Sequence, residues 1–140
     1  IGAGMGVTGL FLGAFGHTVT VTDYEEEALE LLRMNAEHNR LHNVSVKKLD
    51  WNKPDLPGKY DVICGSELVY NERCIKPIIN LFQKYLRAEG VIYLAHDLER
   101  MCMVKFIGMV PRRFEIESIV KRITATGNSH KVVIHTLRLT

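Results

Sequence analysis

Hydrophobic and polar positions change period repeatedly along the chain, and the changes mark its elements. VTGLFLGAF is short and almost wholly apolar and stops at Gly16, which predicts a short helix. HTVTVTD alternates, with Val19 and Val21 on one face, and predicts a strand ending at Asp23. In EEEALELLRMNAEHN, Leu29, Leu32 and Ala36 recur at helical spacing, and Glu25, Glu26 and Glu27 suit the positive end of a helix. Val44, Val46 and Leu49 predict a second strand running into Asp50-Trp51, followed by the loop NKPDLPGK. YDVICGS and VIYLAHD read as buried strands. Between them 71–86 reads as a helix, with Pro77 in its first turn and Gly90 just past its end. LERMCMVKFIGMV predicts a further helix, and FEIESIVKR and HKVVIHTLRL are alternating strands either side of the turn-rich ATGNS.

Strands alternating with helices predict an α/β fold, a parallel sheet covered on both faces. The short link between the last two strands makes them an antiparallel pair. A length of 140 residues suits one domain, and 46% apolar and 24% charged residues are an ordinary globular composition. A net charge of +2 gives no strong pull on nucleic acid. No apolar run approaches the ~18 residues of a membrane span, and the first residues lack a signal peptide's basic leader. Cys64, Cys74 and Cys102 lack metal-site spacing, and Cys64 and Cys102, set in apolar runs, read as reduced core residues of a cytosolic-type protein. The histidines read as satisfied or surface groups, Asp97 as a helix cap, and Arg112-Arg113 and Lys121-Arg122 as solvated faces.

The candidate chemistry begins at IGAGMGVTG. Gly2-x-Gly4-x-Gly6 ahead of a helix lets the backbone turn sharply and lets a ligand approach amide groups at the helix start. Alone this is also the signature of a plain tight turn. Asp23, at the end of the next strand, stands where an acid can bond both ribose hydroxyls of a nucleotide-like ligand, or cap the helix that follows. The dinucleotide fingerprint fits only as Gly4, Gly6 and Gly9, which leaves little helix before Gly16.

GAGMG, TVTVTD, LDW and YDVICGSELVY occur in an order that resembles the seven-strand S-adenosylmethionine-dependent methyltransferases, most of all the branch with the calmodulin-lysine and valosin-containing-protein lysine methyltransferases. The resemblance covers nearly the whole chain. It implies a Rossmann-like, doubly wound seven-strand sheet with an antiparallel last strand, in one cofactor-binding domain over 1–140. It places Gly2, Ala3, Gly4 and Gly6 under the methionine part of S-adenosylmethionine, Asp23 on the ribose, Tyr24, Asp50 and Trp51 around the adenine, and Ser66 beside the cofactor. Trp51 reads equally as a core aromatic. The branch carries Asp-x-x-Tyr after its fourth strand. This chain has Glu67-Leu-Val-Tyr70, one methylene longer, and no Pro-Pro follows Ser66, which disfavours amide and adenine amino acceptors.

The implied reaction is methyl transfer to a protein lysine, with S-adenosylhomocysteine as product. Glu67 would hold and orient the incoming ammonium, and Tyr70 would accept a hydrogen bond or wall the pocket. Alternatively Glu67 is a solvated cap of the next helix. The resemblance implies a protein substrate, and the chain as a whole is expected to be a cytoplasmic monomer with no metal, no specific nucleic acid and no membrane. Other readings are a small-molecule or other N-methyltransferase, a non-catalytic binding domain of this fold, and an NAD(P)-dependent oxidoreductase, which predicts a parallel last strand. In the family a central strand ending in an acid precedes the glycine loop. The chain begins at Ile1 without it, so it is expected to be an N-terminally truncated fragment that folds poorly alone.

Overall fold

A computed structural model describes residues 1–125 and 128–140 and divides them into two compact units, Ile1–Asp55 and Leu56–Thr140. In the first unit, α1 (Val7–Ala14), β1 (Val19–Asp23), α2 (Glu26–His38) and β2 (Val44–Lys48) follow in order. β1 and β2 pair in parallel, Val21 opposite Val46 and Asp23 opposite Lys48. Val21, Leu29 and Leu32 are the buried centre, with Ala3, Val19, Val44 and Val46 packed around them. α1 approaches this sheet through its small residues. A Cβ on Gly9 would lie 2.6 Å from a Val21 methyl, and one on Gly13 2.2 Å from a Val44 methyl.

The second unit holds β3 (Tyr60–Ser66), a 3-10 turn (Glu72–Cys74), α3 (Ile75–Tyr85), β4 (Leu86–Asp97), α4 (Cys102–Met109), β5 (Phe114–Ala125) and β6 (Asn128–Leu139). Its sheet runs β3-β4-β6-β5. β3 and β4 are parallel, while β6 is antiparallel to both β4 and β5. The antiparallel ending predicted from the short link between the last two strands is therefore present. Ile78, Phe82, Ile92, Phe106 and Leu137 are almost fully buried and centre this core. Among the described residues β1 pairs only with β2, and β3 only with β4.

Several expectations shift for local reasons. The helix read over 71–86 starts as a 3-10 turn, because the Asn71 side chain accepts from the Arg73 N–H at 2.9 Å. It ends at Tyr85, since Leu86 already pairs with Tyr60. Gly90 is not the helix stop. It lies inside β4 beside a register shift, where an added Cβ would come 3.0 Å from both the Arg87 and Asp61 carbonyl oxygens. The helix read over 98–110 begins only at Cys102, because Asp97 draws the preceding residues into a turn. β3 is not a buried strand. Ile63 is buried, but Val62 is half exposed. β4 alternates, with Tyr93 exposed between buried Ile92 and Leu94. Cys74 is the buried cysteine, whereas Cys64 and Cys102 are only partly covered. The strands extend to Ala125 and from Asn128, so of the turn expected over ATGNS only Thr126 and Gly127 remain, outside the described residues.

Candidate functional site

In the first unit the glycine loop, Asp23 and Asp50 gather at the carboxyl ends of β1 and β2. Gly2, Gly4 and Gly6 all have positive φ. The loop is tied to β1 at two successive amides. The Ala3 N–H donates to the Thr22 carbonyl at 3.0 Å, and the Gly4 N–H to Asp23 Oδ2 at 2.8 Å. Asp23 Oδ1 accepts from the Tyr24 N–H at 2.7 Å and the Glu25 N–H at 3.1 Å. One carboxylate thus holds both the loop and the approach to α2, and the ligand-facing and capping roles foreseen for it are not exclusive. Two oxygens offer about four acceptor positions, so three N–H partners leave room for another donor.

Gly4 and Gly6 need glycine for different reasons. At Gly4 φ is +53°, and an added Cβ meets nothing within 4 Å. The backbone there borders open space that a ligand can enter. At Gly6 φ is +80°, and an added Cβ would stand 1.9 Å from Leu32 Cδ2. Tyr24 is exposed, with the Lys48 ammonium 5.5 Å from its ring centre. Asp50 Oδ1 accepts from the Asn52 N–H at 2.8 Å and its side-chain amide at 3.1 Å, which closes the turn after β2. Trp51 is partly buried. The Asp23 carboxylate with its remaining acceptor capacity, the open space at the Gly4 backbone and the exposed Tyr24 ring provide the acceptor, the room and the stacking face that an adenosyl-methionine group requires, so these residues fit S-adenosylmethionine.

In the second unit Ser66, Glu67 and Tyr70 follow β3. Ser66 ends the strand opposite Ala95 and is exposed. Glu67 has φ 54°, a left-handed conformation uncommon outside glycine, and its N–H donates to the Ala95 carbonyl at 2.9 Å. Leu68 and Val69 are buried, which anchors the segment and leaves Tyr70 exposed. The Glu67 carboxylate accepts the Asp97 N–H on Oε1 at 2.5 Å and an ion pair from Arg100 on Oε2. It does not cap the next helix, which Asn71 serves. The sequence pattern brought forward neither Arg100 nor the Asp97 amide, because they lie 33 and 30 positions from Glu67 and no local period links them.

Two buried histidines occupy the same sheet. His96 Nε2 and His135 Nε2 are 2.8 Å apart. Burial, and then the neighbouring His96, hold the His135 imidazole below the ordinary histidine pKa. The unfolded chain therefore binds this proton more readily than the folded one. The stability gained from keeping His135 neutral is full above about pH 6.5 and falls as pH drops through that value toward the folded pKa. Urea unfolding of the full-length protein is expected to show a lower midpoint at about pH 5.5 than at about pH 7.5. His135→Gln is expected to narrow that gap, and an equal gap in the two proteins would assign the acid sensitivity elsewhere.

Residues 1–113 match the family described as Lysine methyltransferase. The chain is 32% identical over 124 residues to the protein N-lysine methyltransferase METTL21A of Xenopus tropicalis, an alignment covering 85% of this chain and 57% of that protein. It is 29% identical over 123 residues to EEF1A lysine methyltransferase 3 of Mus musculus, covering 84% of this chain and 53% of that one. It thus spans little more than half the length of these curated relatives. Among solved structures, a TehB-like SAM-dependent methyltransferase from Corynebacterium glutamicum aligns with a TM-score of 0.78 at 17% identity, over 99% of this chain and 77% of that one. That likeness shows the shared fold.

Proposed function

This chain belongs to the lysine methyltransferase family, and on that premise we propose that the protein moves a methyl group from S-adenosylmethionine to the side-chain amine of a protein lysine. The observation that carries the reading is the seam in which Asp23 holds the Gly4 N–H while the Gly4 backbone borders open space. When bound, S-adenosylmethionine supplies an electrophilic methyl on a sulfonium, an excellent leaving group. The chain's own work is to bind, orient and desolvate.

The loop from Gly2 through Ala3 and Gly4 to Gly6 receives the methionine part, Asp23 offers its remaining acceptor capacity to ribose hydroxyls, and Tyr24, Asp50 and Trp51 take the adenine. Ser66 lies beside the cofactor. A lysine amine, with a reference pKa of ~10.4, must shed its proton before it can attack. Glu67 orients the incoming ammonium through acceptor positions left beside Asp97 and Arg100, and Tyr70 walls the acceptor's path. A carboxylate favours the charged amine, so Glu67 positions and does not act as a strong base. The reading keeps one methyltransferase domain in a cytoplasmic, monomeric protein. Supporting it is the likeness in fold over 99% of the chain. Among the described residues, no helix is long and apolar enough to cross a membrane.

The test incubates the full-length protein with tritiated S-adenosylmethionine and EEF1A, the protein named in one relative's description. Label on a lysine, located by peptide mass spectrometry, is the expected result. Glu67→Gln is expected to lower kcat/KM about tenfold, from one weakened charge-assisted contact, without changing cofactor affinity. Label on a small amine but on no protein would move the acceptor. Cofactor binding with no transfer to any acceptor would leave a binding domain.

A further inference from the structure

The antiparallel ending of the sheet puts the start of β6 at the site end. β6 runs against β4, and β4 runs with β3, so the first residues of β6 lie toward the carboxyl ends of those strands, where Glu67 and Asp97 stand. β4 stops at Asp97, opposite Val132. β5 and β6 continue past it as a two-stranded arm, pairing Arg122 with Lys131, Ile123 with His130 and Thr124 with Ser129. The Leu98 N–H donates to the Lys131 carbonyl at 3.0 Å, which ties the arm to the turn that grips Glu67. Residues 119–131 carry Lys121, Arg122, His130 and Lys131 and no acid, in a chain whose net charge is only +2. Arg122 and Lys131 stand directly opposite each other, and both are exposed. Like charges so placed repel and weaken a strand pair. Among the described residues, no carboxylate is ion-paired with Lys121, Arg122 or Lys131, and the ion pairs lie elsewhere. The arrangement opposes folding, and an anionic partner laid across the arm would offset it.

We propose that the β5–β6 arm docks an acidic segment of the acceptor protein, with Arg122 and Lys131 taking carboxylates that flank the target lysine. The proposal rests on the reading of Glu67 as the group that orients that lysine, and it names what surrounds the lysine. Sheet order sets the spacing. β6 lies two strands from β3 and β5 lies three, at about 4.8 Å per strand, so Lys131 and Arg122 stand about 10 Å and about 14 Å across the sheet from the strand that carries Glu67. An extended peptide advances about 3.3 Å per residue, which puts the acids about three to four positions from the lysine. A peptide can set its one cation on Glu67 and its acids on the arm. An RNA strand carries a charge at every phosphate and would set some of them against Glu67 and the exposed Glu99. The charge pattern therefore favours an acidic peptide segment.

The experiment uses full-length protein, as wild type and as the double variant Arg122→Gln/Lys131→Gln. Three fluorescent probes are titrated by anisotropy at low and high salt. They are a peptide with one lysine and glutamates about three and four positions to either side, its glutamine counterpart, and a single-stranded RNA of equal net charge. Wild type is expected to bind the acidic peptide about threefold to tenfold more tightly than the glutamine peptide at low salt. That margin is expected to shrink at high salt and to vanish in the double variant. In methyl transfer the double variant is expected to raise KM for the acidic peptide by a similar factor, with unchanged S-adenosylmethionine affinity. Its urea midpoint is expected to equal or exceed that of wild type, because the like-charge pair is gone, so the weaker binding does not report unfolding. Equal affinity of wild type for the acidic and glutamine peptides, or an undiminished preference in the double variant, would overturn the proposal. RNA bound more tightly than the acidic peptide, and released by the same substitutions, would overturn it in favour of nucleic acid. Charge-dependent peptide binding with no methyl transfer by wild type to any acceptor would instead overturn the proposed function and leave the docking surface standing.

Discussion

Asp23→Ala is expected to weaken S-adenosylmethionine binding about a hundredfold to a thousandfold. The carboxylate accepts three backbone N–H groups, at 2.8 Å from Gly4, 2.7 Å from Tyr24 and 3.1 Å from Glu25. Hydrogen bonds to a charged group are worth roughly 1.5–3 kcal/mol each, though water replaces part of that at a partly exposed site. A net loss of about 3–4 kcal/mol corresponds to two or three decades of affinity. It includes both the acceptor offered to the ribose and the ordering of the loop, since the Gly4 amide loses its tether. Calorimetry on the full-length protein checks this, with Asp23→Asn expected between the two because it keeps one acceptor oxygen. Wild-type affinity in a folded Asp23→Ala protein would remove Asp23 from the binding site and leave it a structural tie.

Gly6→Ala is expected to destabilise the protein by about 2–5 kcal/mol. A left-handed conformation costs an L-residue roughly 1–2 kcal/mol, and forcing an extra group into a packed core about 1–3 kcal/mol more. Both apply here, because φ is +80° and the new methyl would stand 1.9 Å from Leu32 Cδ2. Leu32 is fully buried and cannot retreat without disturbing Val21 and Leu29. Gly4→Ala provides the contrast. It bears the conformational cost alone, at φ +53° with open space around the Cβ, so its stability loss stays near 1–2 kcal/mol. Its larger effect is expected on S-adenosylmethionine affinity, because under the proposed reading the methyl would enter the space the cofactor takes. Equal urea midpoints for the two variants would show that Leu32 accommodates the added methyl.

The order of helices and strands was legible from period alone. The Leu29, Leu32, Ala36 repeat reflects one buried face, and that face is buried here, whereas VTVTD forms the strand its alternation predicts but buries Thr22 on the opposite face as fully as Val21. The antiparallel ending followed from the short link between two alternating runs. What misled were residues whose role is set by distant partners. Gly90 looked like a helix stop, yet it is glycine because the carbonyls of Arg87 and Asp61 crowd it. YDVICGS looked buried because it is apolar, yet burial depends on what covers a strand.

The sequence by itself determined the element order, the glycine loop, the strand-end acids and the resemblance that joins them. These are properties of neighbouring residues, and local period and turn chemistry suffice to express them. Only the tertiary structure decided that Gly6 is forced by Leu32 and Gly4 by its backbone angle alone. It likewise decided that Glu67 is held by Asp97 and Arg100, and that His135 meets His96 in the core. Those pairings join residues far apart in the chain, and sheet register brings them within bonding distance.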